Sequence, residues 1–62
     1  MTTGERRRRL AELIAQVAAE EGLDAADRAA VYTRLAERAD EDGDGEDATE
    51  LRTFAEHERA EA

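Results

Sequence analysis

A chain of 62 residues forms one small domain, residues 1–62, and a domain this short buries only about 60% of the surface its unfolded chain exposes. The absence of cysteine excludes a disulfide and a thiolate metal site as sources of stability. Seventeen acids against nine bases give a net charge of −8, which argues against general affinity for nucleic acid or an anionic membrane. No run approaches the roughly 20 apolar residues of a membrane span, and no secretory signal pattern opens the chain, so a soluble cytoplasmic protein is the expectation. All nine bases are arginine. With the richness in Ala, Gly, Asp and Glu, this matches a GC-rich genome such as that of an actinobacterium or a halophilic archaeon. The acid excess fits adaptation to salt and an ordinary acidic accessory protein equally.

There is no proline, and four glycines stand against 14 alanines, a composition that favours helix. The first helix is predicted over about residues 4–21, with Thr3 as its N-cap. Leu10, Leu13, Ile14 and Val17 fall at i, i+3, i+4 and i+7, an apolar stripe on one face. Gly22 suits the position just past the helix end, with Leu23 folding back in a Schellman-type stop. Asp24 caps the second helix, predicted over about 25–39, and Asp27 adds charge to its first turn. Val31, Tyr32, Leu35, Ala36 and Ala39 repeat there at helical spacing.

Residues 40–45, Asp-Glu-Asp-Gly-Asp-Gly, read as a turn. Asp44 is placed to cap a third helix over about 46–59, with Asp47 three positions later. Ala48, Leu51, Phe54 and Ala55 share one face of that helix. No segment alternates as a strand does. The fold class is therefore all-α, a small three-helix bundle in which helices 2 and 3 form an antiparallel hairpin. Ten large apolar residues, Leu10, Leu13, Ile14, Val17, Leu23, Val31, Tyr32, Leu35, Leu51 and Phe54, make a thin core, so self-association or docking on a partner is expected.

Asp40, Asp42 and Asp44, followed by Gly45, resemble the start of an EF-hand loop, in which alternate carboxylates converge on calcium. The closing position holds Leu51, with Glu50 one residue early, and the usual apolar anchor is Asp47. The resemblance implies a weak cation site at Asp40, Asp42, Asp44 and Glu50; the plainer reading is a solvated acidic turn with no metal. From Leu35-Ala36, glycine follows at Gly43, then alanine at Ala48 and Ala55, with Tyr32 three residues before Leu35. Residues 29–62 thus resemble a single tetratricopeptide-type repeat of 34 residues. Tryptophan and the closing proline are missing, and Arg52 stands where that family usually has an aromatic. The resemblance implies a close-packed helical hairpin and an inclination to protein–protein interaction, although one repeat cannot form the concave groove of an array.

Arg6, Arg7, Arg8 and Arg9 open the first helix, where the macrodipole favours anions. Arg8 and Glu12 are spaced as i,i+4 partners, and the acidic loop of the same or another copy is the other candidate counter-charge. An acidic protein partner and contact with nucleic-acid phosphate are the alternative readings, the latter opposed by the net charge and the lack of interleaved aromatics. Serine and cysteine are both absent and His57 is the single histidine, so a serine or cysteine nucleophile beside a histidine base is lacking. The sequence is accordingly read as a non-enzymatic, cofactor-free, small acidic accessory or regulatory protein acting by protein–protein interaction. Its contact surface is expected at Leu10, Leu13, Ile14, Val17 and Arg6–Arg9, with homodimerisation as one form of partnership. The alternatives are a weak calcium module at residues 40–50, or a regulator or mimic of nucleic acid.

Overall fold

The computed structural model describes residues 2–62, apart from the side chain of Thr3. Three helices follow in order, α1 Thr3–Glu20, α2 Ala25–Glu41 and α3 Gly45–Glu61, and no strand occurs among the described residues. The cap of α1 is Thr2, one residue earlier than the expected Thr3, and its hydroxyl accepts from the Glu5 amide at 3.2 Å. Asp24 caps α2 as expected, its carboxylate accepting from the Asp27 amide at 2.9 Å. Each cap satisfies an amide that the first turn leaves without an intrahelical partner.

Both inter-helix turns are built on glycine. Gly22 and Gly43 have φ of 78° and 83°, a conformation in which a side chain would be strained. The Leu23 amide donates to the Ala18 carbonyl at 2.8 Å and the Gly22 amide to Ala19 at 3.2 Å, the bonding of a Schellman stop. Asp44 to Ala39 at 2.8 Å and Gly43 to Asp40 at 3.1 Å repeat it at the end of α2. Helix 2 therefore runs through Asp40 and Glu41, two residues beyond the expected end at 39. Helix 3 begins at Gly45 rather than 46 and continues past 59 to Glu61, so the acidic turn is shorter than its composition suggests.

The two long antiparallel helices α2 and α3 make the most extensive contact in the molecule, and α1 lies more closely on α3 than on α2. Alanine makes this possible. Ala36, Ala39, Ala48 and Ala55 are all buried, in one core cluster with Leu51, which is fully enclosed. Of the ten large apolar residues, only Leu51 and Tyr32 are buried; Leu13 and Val17 are exposed, and the other six are half-buried. The buried face of α1 is accordingly not the large-residue stripe. Ala11 and Ala18 point inward, with Ile14 at the margin of the core.

Tyr32 joins all three helices. Its hydroxyl donates to the Ala11 carbonyl of α1 at 2.9 Å, and its ring lies 5.9 Å from that of Phe54 in α3, tilted by 39°. Burial, aided by the charge of Glu58 and opposed by Arg28, raises the phenol above its ordinary value. With no lysine or cysteine and a single tyrosine, Tyr32 is the only side chain that titrates between about pH 9 and 12. Because the folded-state value is the higher one, the unfolded chain loses this proton first. Stability is thus unaffected by Tyr32 below about pH 10 and falls as pH rises beyond it. Alkaline unfolding followed by circular dichroism is expected to coincide with phenolate absorbance, and Tyr32→Phe is expected to remove the slope above pH 10.

Candidate functional site

The arginine run finds its counter-charge across the bundle. The N-terminal turns of α1 and α3 lie side by side, so cations that oppose the dipole of α1 meet acids that the dipole of α3 favours. Arg7 Nε donates to Asp47 Oδ2 at 2.9 Å, and its Nη2 lies 3.7 Å from Asp44 Oδ2. Arg8 Nη2 reaches Glu50 Oε1 at 3.5 Å. The expected Arg8–Glu12 pair does not form among the described contacts; Arg8 serves the bundle instead of its own helix. Asp44 makes no side-chain capping bond; its carboxylate faces Arg7. Asp47, 1% exposed, is the one buried charged residue among those described. It is buried because Arg7 covers it, and a charge is tolerated at that depth only when paired.

This pairing extends through the whole 40–50 segment. Asp40 is bound by Arg52, Asp42 lies 3.8 Å from Arg38, Asp44 faces Arg7 and Glu50 faces Arg8. Each of the four carboxylates that resemble calcium ligands therefore faces an arginine, Arg7 being shared between Asp44 and Asp47, and Asp40 belongs to α2 with Asp42 as its C-cap. Among the described residues no group of three or more acids or histidines is arranged to hold a metal ion. A cation entering here would have to displace guanidinium groups. Millimolar calcium is expected to leave the melting temperature unchanged within 1–2 °C, read by differential scanning calorimetry against magnesium. His57 is exposed, and its neighbour Glu58 is held at 2.9 Å by Arg28, which also donates to the Leu23 carbonyl at 3.1 Å.

The uncommitted surface lies on the other side of α1. Leu13 and Val17 are 53% and 50% exposed. With Ile14 and Ala18 of α1, Leu23 of the turn and Val31 of α2, they line an open apolar groove of about 320 Å³. Glu21 stands at its edge. The groove exists because α1 leans toward α3 and leaves its contact with α2 slight. Three of the four apolar residues of the expected contact set, Leu13, Ile14 and Val17, are thus brought together, while Leu10 is half-buried outside the groove lining. The arginine run divides by direction. Arg7 turns into the bundle and Arg8 reaches Glu50 from an exposed position, whereas Arg6 and Arg9 are exposed without an ion pair among the described residues.

Two features escaped the sequence reading. Asp47 reads as a first-turn helix charge, and only the crossing of α1 over α3 makes it a buried anchor. Ala11, Ala15 and Ala18 carry a small-residue stripe at i, i+4 and i+7 that signals the closely packed face of α1, but larger residues on the adjacent face mask it. No helix among the described residues is long and apolar enough to cross a membrane. Compared with known proteins, the chain matches no family model, no curated protein and no solved structure.

Proposed function

We propose that this chain is a small acidic accessory protein, without enzymatic activity of its own, that acts by docking on protein through the open groove beside α1. One observation carries the reading. The two most exposed large hydrophobic side chains, Leu13 at 53% and Val17 at 50%, sit next to each other at a single apolar groove. Isolated exposed hydrophobics are common on any surface, but adjacent ones at a concave apolar site are a signature of contact. The lack of serine and cysteine and the exposure of His57 support the non-enzymatic part of the reading. The arginine–carboxylate pairs that occupy residues 40–50 support the view that this acidic segment holds the bundle together.

A photo-crosslinking residue placed at Leu13 in growing cells tests the reading against the same residue at Thr53, which is exposed on α3. A discrete covalent adduct is expected from position 13 and none from position 53. Adducts at neither position, or equal adducts at both, would contradict a docking role for α1.

A further inference from the structure

We infer that Leu13 and Val17, the exposed rim of the groove, are covered by a second copy of the same chain, with the two α1 helices packed antiparallel about a two-fold axis near residue 15. The inference rests on the docking reading above and names its occupant. At 100° per residue, Arg6, Arg9, Leu13, Val17 and Glu20 fall within an arc of about 80° on α1. This stripe is basic at its N-terminal end, apolar in the middle and acidic at its C-terminal end, where Glu21 adds a second charge. Arg6, Arg9, Glu20 and Glu21 are all exposed, and none makes an ion pair among the described residues.

An antiparallel copy turns that polarity into complementarity. Residues whose numbers are equally spaced from the axis face each other, so Leu13 of one copy meets Val17 of the other, twice. Arg9 then meets Glu20 and Glu21 of the second copy at both ends, about 17 Å along the helix from its own acids. A parallel arrangement would set arginine against arginine and glutamate against glutamate. The result is an apolar centre with a charged rim, generated from one patch by two-fold symmetry. Repulsion between two copies of net charge −8 acts over long range and is screened beyond about 8 Å at physiological salt, whereas contact pairs are screened less.

Sedimentation equilibrium at 0.15 M salt tests this with exposed positions only, so the fold is retained, as circular dichroism of each variant checks. Wild type is expected to dimerise. Arg9→Glu alone and Glu20→Arg with Glu21→Arg are each expected to weaken the dimer tenfold or more, because each turns the attraction at both ends of the interface, four charge pairs in all, into repulsion. The triple change is expected to restore it. A dimer that Arg9→Glu leaves unchanged would overturn the antiparallel arrangement. A wild-type chain that stays monomeric to millimolar concentration would overturn self-pairing altogether. In that case a position-13 adduct of foreign mass would leave the docking reading standing, and the absence of any adduct would remove both.

Discussion

Arg7→Ala is expected to destabilise the protein by about 3–5 kcal/mol, the cost of leaving a buried charge without its partner. The Asp47 side chain is 2% exposed and that of Arg7 27%, so the guanidinium is the lid on this carboxylate. A domain of 62 residues has a total stability of only about 3–9 kcal/mol. The substitution should therefore consume most of it and release α1 from the α2–α3 hairpin before the hairpin itself melts. Urea unfolding monitored at 222 nm gives the loss. The paired change Arg7→Met with Asp47→Leu removes both charges and should recover most of the stability, since an apolar pair of similar volume often equals or exceeds a buried ion pair. A loss below 1 kcal/mol for Arg7→Ala, as for an exposed pair, would show that Asp47 reaches water without α1 in place.

Leu51→Ala should cost about 2–5 kcal/mol. Leu51 is wholly buried, in one core cluster with Ala11, Tyr32, Ala36, Ala39, Ala48 and Ala55. The alanines have no side chain to swing into the void, so repacking can come only from the larger side chains of the cluster and its margin, Tyr32, Ile14, Leu35 and Phe54. Leu51→Met, which keeps the volume, should cost under about 1.5 kcal/mol. Calorimetric melting distinguishes the two variants. A small effect of Leu51→Ala would mean that the gap is closed, by approach of α2 and α3 or by Leu35, Phe54 or Ile14 turning into it.

The parts of the fold that were legible in the sequence are those set by local chemistry. Gly22 and Gly43 end helices because the chain needs a positive φ there, and Asp24 starts one because its carboxylate reaches the Asp27 amide. Such signals act over a few residues and survive in any tertiary context. The choice of buried face did not. On α1 the large residues mark one side, yet the bundle takes Ala11 and Ala18 inward, since the hairpin presents Tyr32 to α1 and a small residue must face a large one. The role of the arginine run was half legible. Local spacing pairs Arg8 with Glu12, but Arg8 pairs with Glu50, 42 positions away, a partner that no periodicity within α1 can reveal. The acidic 40–50 segment shows the same limit: its composition suggests a cation site, and its arginine partners lie on all three helices.

On the docking proposal, α1 carries one face that closes the bundle and another that meets a partner. Unfolding midpoints measured over a thousandfold range of protein concentration, for wild type and for Leu13→Gln with Val17→Gln, test this division. A contact surface adds stability by mass action, so the wild-type midpoint should climb with concentration, the variant midpoint should stay flat, and the two should converge on dilution. A wild-type midpoint independent of concentration, separated from the variant by a constant gap, would place Leu13 and Val17 in the core of a self-sufficient monomer and contradict the account.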